Sequence, residues 1–126
     1  MLKPTFAQEI LFGTLNGVEQ YIQAGADIEE TDEYGFSPLI EATIANKIDV
    51  VALLLEYGAD INNADTTGRT ALHWAVDNHN IALCELLLAN KADANAYTTA
   101  GQAVLVCPLL RQQVELKKLL YRYGAK

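Results

Sequence analysis

The amino-acid sequence predicts an all-α solenoid, a row of stacked helix-turn-helix units, and three observations point to it. Gly35, Gly68 and Gly101 stand 33 residues apart, as do Leu39, Leu72 and Leu105, and again Leu53, Leu86 and Leu119. Self-similarity at such a period marks supersecondary units that each leave an apolar side uncovered until a neighbour packs on it. A second register runs through Gly25-Ala26-Asp27, Gly58-Ala59-Asp60, Lys91-Ala92-Asp93 and Gly124-Ala125-Lys126, which divides the chain into units at approximately 1–31, 32–64, 65–97 and 98–126. Within these intervals apolar residues recur at helical spacing, as in Leu15, Val18, Tyr21 and Ile22.

In the first unit, a helix is expected from about Thr5 to Phe12, with Pro4 at its start and Phe6, Ala7 and Ile10 turned inward. Leu15 to Ile22 supplies its partner. No turn signal precedes this unit, as expected of an end unit with no earlier repeat to pair with. Asp27 to Phe36 reads as an extended, turn-forming connection rich in acids, with Gly35 at the left-handed tip.

Ser37 caps the next helix and Pro38 is pre-set for its first position, where a missing N–H does no harm. That helix runs through Leu39, Ile40, Ala42 and Thr43 to Asn46, the side chain that best tolerates positive φ after Gly. Ile48, Val51, Leu54 and Leu55 build the second helix of the pair. In the third unit Thr70 and His73 are three apart across a helix start, so the imidazole can reach back to the turn as in a capping box. Lys91 stands where the register elsewhere has Gly, at a cost of order 1 kcal/mol if the backbone is left-handed there. In the last unit Pro108 falls inside the expected first helix and should shorten or kink it. The second helix, about Gln113 to Tyr123, turns Leu116, Leu119 and Leu120 inward and Lys117, Lys118 and Arg122 outward.

Two eleven-residue stretches carry a resemblance. Asp32-Glu-Tyr-Gly-Phe-Ser-Pro-Leu-Ile-Glu-Ala42 and Asp65-Thr-Thr-Gly-Arg-Thr-Ala-Leu-His-Trp-Ala75, with the Gly-Ala-Asp register, resemble the ankyrin repeat over essentially the whole chain. The consensus of that family has a Gly turn, a Thr-Pro-Leu-His start, a Leu-Leu pair and Gly-Ala-Asp-Val-Asn. The resemblance implies four units with the outer two as degenerate caps, β-hairpin-like turns projecting to one side, and protein binding on a concave groove without catalysis or cofactor. It gives Gly35, Gly68 and Gly101 a turn role, and Thr70 and His73 the task of tying neighbouring units together. Ile40 replaces that His in the second unit, so half the device is absent there. Asn62 and Asn95 match positions on which ankyrin domains can be hydroxylated by an asparaginyl hydroxylase.

Composition narrows the function classes. The chain has 126 residues, 51% hydrophobic and 20% charged, with three Pro, which excludes a disordered or collagen-like chain. No apolar run reaches the ~18 residues of a membrane span, and no secretory signal is visible. Two cysteines, Cys84 and Cys107, are too few for a disulfide framework and suit a reducing compartment. The expectation is a cytoplasmic monomer, with the nucleus or delivery into a host cell left open.

The net charge of -7 argues against nucleic acid, which needs a basic face. The sign is uneven. Glu9, Glu19, Asp27, Glu29, Glu30, Asp32 and Glu33 face only Lys3 in the first quarter, whereas Arg111, Lys117, Lys118, Arg122 and Lys126 face Glu115 at the other end. Either these are solvated ends, or they steer a partner with a basic surface.

Chemistry-bearing constellations are sparse. His73 and His79 are six apart and the cysteines are isolated, unlike the tight pairs of a zinc site. Cys84 and Cys107 read as buried, inert thiols. Ser37 is the only serine and has a helix-start role, and no nucleophile elbow or phosphate loop is present. No metal, cofactor or catalytic residue is expected.

Once turn, cap and core positions are assigned, the remaining residues cluster at turn tips and helix edges. These are Glu33, Tyr34, Phe36, Ile44, Ala45 and Tyr57 in the second unit, and Thr66, Thr67, Arg69, Asp77, Asn78 and Asn90 in the third, joined by Tyr97 and then Thr99, Ala100 and Gln102. Stacking aligns them on the side where the family binds partners, and exposed aromatics and Arg dominate interface energetics. Trp74 has two readings, inter-repeat packing or a part-exposed anchor. Two other functions stay open: a spacer or targeting arm of a larger protein, suggested by the stop at Lys126 where another turn would begin, and a metal-dependent or hydrolytic enzyme.

Overall fold

A computed structural model describes residues 4–106 and 113–126. Lys3, Cys107, Pro108 and Arg111, and with them the expected kink and the second thiol, lie outside the described residues. Seven helices occur among the described residues: α1 (Phe6–Phe12), α2 (Leu15–Gln23), α3 (Pro38–Ile44), α4 (Ile48–Glu56), α5 (Ala71–Asp77), α6 (Ile81–Ala89) and α7 (Val114–Arg122).

None exceeds nine residues, and isolated helices shorter than about 12–15 residues are marginal in water. Caps and packing therefore have to hold them. Thr5 and Gln8 form a reciprocal capping box at α1, with bonds of 3.1 and 2.9 Å. Thr14 accepts from Gly17 N at α2, Ser37 from Ile40 N at α3, and Asn80 from Leu83 N at α6. Pro38 opens α3 as expected.

The helix pairs close on left-handed residues. Asn46 and His79, one repeat apart, have φ of 58° and 57°, and Lys91 has φ 73° at the position taken by Gly25, Gly58 and Gly124. The strained backbone expected at Lys91 is therefore present.

α1, α3 and α5 lie side by side in one row, α2 packs beside α4, and α6 beside α7. Ile10, Val18, Leu39, Leu54, Leu72, Leu83, Leu87, Leu116 and Leu120 form the continuous core between them. Cys84 is buried among them, as expected. The inward assignment of Ala7 fails, since it is exposed, and Leu15 and Ile48, named in the helical series of α2 and α4, are exposed as well. Leu15 and Ile48 are the first residues of α2 and α4, and Ile81 and Val114 repeat the same exposed position in α6 and α7.

Between units the chain makes hairpin-like turns. Asp32 N donates to Phe36 O (3.2 Å), Asp65 N to Arg69 O (2.9 Å) and Thr98 N to Gln102 O (3.0 Å), and Tyr97 pairs with Ala103 as an antiparallel bridge. The tips are stitched to one another, Thr66 N to Tyr34 O (3.0 Å) and Thr99 N to Thr67 O (2.9 Å). This explains two glycines twice over. Gly35 and Gly68 have φ of 78° and 80°, and a Cβ there would sit 2.8 Å from Thr66 N and 2.7 Å from Thr99 N. Gly101 needs only the left-handed φ of 77°, since open space surrounds it.

Candidate protein-binding groove

The stitched tips and the edge of α5 enclose a groove of about 530 Å³. It is organised by Asp65, 7% exposed, whose carboxylate accepts four bonds. Oδ1 takes Thr67 N (2.8 Å), Thr67 Oγ1 (2.6 Å) and Arg69 N (3.1 Å), while Oδ2 takes the Trp74 indole Nε1 (3.0 Å). Burial pushes the Asp65 carboxyl up, but the bonds from Thr67, Arg69 and Trp74 outweigh it and hold the group below its ordinary value.

The anchored indole then orders its neighbours. Phe36, from the preceding unit, meets Trp74 edge-on at 5.8 Å and 86°, and Tyr34 tilts against Phe36 at 5.7 Å. On the other side the Arg69 guanidinium sits 5.0 Å from the Trp74 ring centroid. The result is a row, Tyr34–Phe36–Trp74–Arg69, that spans two units. Trp74 is thus both packed between repeats and half-exposed in the groove, which joins the two readings left open above.

Of the residues expected to bind a partner, Tyr34, Phe36, Thr66, Thr67 and Arg69 line this groove with Thr99, Ala100 and Gln102. Tyr34 is 58% exposed, whereas Phe36 is half-buried against the core. Glu33 is exposed next to Tyr34. Tyr57, Asp77, Asn78 and Tyr97 lie apart from it. The Tyr57 hydroxyl bonds Glu19 (3.1 Å) and Gln23 (3.4 Å) of α2, on the side of the second helices. Asn78 reaches back from the end of α5 to the carbonyl of Ile44 (3.3 Å), and Asp77 precedes it at half-exposure. Tyr97, 66% exposed, stands at the base of the third turn.

Asp65 was missed as a site residue, although its spacing from Asp32 at one repeat marks it as the head of each turn. In the second unit Asp32 accepts from Tyr34 N and Phe36 N at 2.9 Å each. Glu41 occupies the position of Trp74 there, and burial, followed by the hydrogen bond and charge of Asp32, raises its pKa. Two facing carboxyls thus replace the Asp–Trp pair, and the aromatic row ends at this unit.

The structural pair Thr70 and His73 is buried beneath the groove. Thr70 N–H donates to His73 Nδ1 at 3.1 Å, and Thr70 Oγ1 lies 3.0 Å from the same atom. A backbone N–H can only donate, so the ring proton sits on Nε2. Burial lowers the His73 pKa, opposed by the backbone of Gln102 in the following unit, while the Arg69 charge lowers it further and the backbone of Ala96 in its own unit raises it. Among the described residues no acceptor meets hydrogen-bond geometry at the buried Nε2.

The firmer tie between units is made elsewhere, by the two asparagines the resemblance singles out. Asn62 Oδ1 accepts from Asp93 N (2.8 Å) and Asn95 Oδ1 from Lys126 N (2.9 Å), and Glu29 does the same for Asp60 N (2.8 Å) one repeat earlier. Among the described residues no group of three His, Cys, Asp or Glu is placed to hold a metal ion. No helix among them is long and apolar enough to cross a membrane.

Residues 6–98 match the family described as ankyrin repeats (3 copies). Among solved structures, that of the Legionella effector AnkH is similar with a TM-score of 0.90 and 45% identity, over 98% of this chain and 27% of that one. No curated protein matches. The chain therefore spans about a quarter of the length of AnkH, with 27% covered. The matched residues include every groove residue from Tyr34 to Trp74, and with the stacked helix pairs they place the chain in the ankyrin repeat family.

Proposed function

We propose that the chain is a non-catalytic protein-binding module whose partner seats on the groove at the turn tips. The observation that supports this most is the Tyr34–Phe36–Trp74–Arg69 row, which puts three aromatics and an arginine, the residue types enriched in interface hot spots, around one opening. The row is held by Asp65 before any partner arrives, so little side-chain ordering is left to oppose binding. The acidic run Asp27, Glu29, Glu30, Asp32 and Glu33 precedes Tyr34 in sequence, and its exposed Asp32 and Glu33 share the turn with that residue, which favours a partner with a basic surface there.

A pull-down from native cell extract with wild-type and Tyr34→Ala bait tests this reading. Tyr34 is the cleaner probe, because truncating half-buried Phe36 costs stability as well as contact area. The expected result is a protein retained by wild type and lost from the variant, while the thermal midpoint moves by less than about 2 °C. Equal retention by a Tyr34/Phe36 double alanine variant that remains folded would refute the groove assignment.

A second reading rests on the 27% coverage of AnkH: the repeats act as a targeting or spacer arm of a larger protein. The two readings differ in whether residues 1–126 alone retain the partner.

A further inference from the structure

Resting on that reading of the groove, we infer that the partner inserts an Asp or Glu side chain, its carboxylate gripped by the Arg69 guanidinium, with an adjacent apolar side chain laid against Tyr34 and Phe36.

The inference comes from what is left unsatisfied. A guanidinium carries five donors in a fixed fork and stays charged at any working pH. Among the described residues the Arg69 side chain has no hydrogen-bond acceptor and no ion-pair partner, only the Trp74 face at 5.0 Å. Asp65 is the acid at hand, but its oxygens are already committed to Thr67, the Arg69 backbone and the Trp74 indole. Stacking covers one face of the fork, and Arg69 lines the opening. The Trp74 ring is itself pinned, by the 3.0 Å bond to Asp65 and the 5.8 Å contact with Phe36, so the fork is supported by a rigid platform.

Asp65 is the one other charged group in the lining, its carboxylate taken up by four donors, and the remaining walls are neutral: the hydroxyls of Thr66 and Thr99, the Gln102 amide and the aromatic rings. A planar fork in such a setting is complementary to a planar carboxylate, which it binds through two parallel bonds. A single arginine offsets one negative charge. On a chain of net charge -7 a phosphate dianion would meet surplus repulsion, so a carboxylate is the better match. The volume of about 530 Å³ is too large for one carboxylate and leaves room for an apolar neighbour on the Tyr34–Phe36 side. A basic residue further along the same partner would meet the acids of the Tyr34 turn, so the two charge preferences are compatible.

The test is a displayed random-peptide library selected on the intact chain, with the recovered peptides labelled and measured by fluorescence polarisation. Peptides whose binding is lost in Tyr34→Ala are expected to share an Asp or Glu next to an apolar residue. Arg69→Gln should weaken them by about tenfold or more, and so should changing the peptide acid to its amide. Combining the two changes should add little further loss. Should Arg69→Gln fail to fold, the peptide-side change on wild type decides alone. Peptides that need Tyr34 but carry no acid, or that ignore both charge changes, would overturn this inference and leave the binding groove standing. Peptides indifferent to Tyr34→Ala, or recovery of none, would overturn the groove itself.

Discussion

Removing the Asp65 carboxylate tests how the Tyr34–Phe36–Trp74–Arg69 row is held. Asp65→Ala deletes the acceptor of four bonds, two from backbone N–H groups, one from the Thr67 hydroxyl and one from the Trp74 indole. Hydrogen bonds to a charged group contribute about 1.5–3 kcal/mol each. They do not sum here, because the Thr67 and Arg69 amides sit at an exposed tip where water can replace the carboxylate. The half-buried indole has no such substitute. An overall loss of about 2–4 kcal/mol is expected.

Asp32→Ala is the internal control one repeat earlier. Asp32 is exposed and accepts two backbone bonds, and the hydrogen bond it shares with Glu41 is offset by the charge repulsion between the two carboxyls, so its removal should cost about 1 kcal/mol. Urea unfolding followed by circular dichroism gives both values, and Trp74, the only tryptophan, reports the row directly by fluorescence. If Asp65→Ala stayed within about 0.5 kcal/mol of wild type, or Asp32→Ala cost as much, Asp65 would not be the anchor. Acid should act in the same direction. Because the folded Asp65 titrates below its ordinary value of 3.8, its stabilisation is full above that pH and is lost as pH falls through the folded pKa.

Four further outcomes are expected. Lys91→Gly should raise stability by about 1 kcal/mol in the same urea assay, since it relieves a left-handed φ of 73°; a decrease would mean the lysine side chain outweighs the backbone strain. Gly68→Ala should cost markedly more than Gly101→Ala, because only the first adds a contact of 2.7 Å with the next tip; equal costs would contradict the stitching of the turns. His73 binds protons less readily folded than unfolded, so its contribution is complete above about pH 6.5 and falls as pH drops below that value. His73→Gln should flatten the stability profile below about pH 6.5, and an unchanged slope would assign the acid sensitivity elsewhere. Hydroxylation of Asn62 or Asn95 would give an intact-mass gain of one oxygen per site after incubation with an asparaginyl hydroxylase, and an unchanged mass would dismiss it.

The scaffold was legible because its requirements are local and repeat. Ser37 before Pro38, Asn46 between paired helices and Lys91 in a Gly register each announce a backbone conformation from one or two residues. The groove was legible in part. Tyr34, Phe36 and Arg69 emerged by subtraction, since no turn, cap or core role claimed them. Tyr57 emerged the same way and was misplaced beside them, because periodicity alone does not tell the tip side of a unit from the side of its second helices. Asp65 and Trp74 were harder for another reason. Their bond joins residues nine apart in sequence, and the partner of the indole across the stack is Phe36 in the previous unit. Such a contact exists only after the units have stacked, so no window of sequence displays it. The exposed Leu15 and Ile48 show the same limit, since helical spacing assigns a face but not where the neighbouring helix stops covering it.

The most direct check on the central claim is an NMR experiment that looks for through-space cross-peaks between the Phe36 ring and the Trp74 indole. These residues belong to different units and meet only if consecutive helix pairs lie in one row. Cross-peaks between the two rings, with slow hydrogen exchange of the indole N–H bonded to Asp65, are the predicted result. An indole N–H that exchanges freely and shows no contact with Phe36 would mean that the row does not form, and with it the groove on which the proposed function rests.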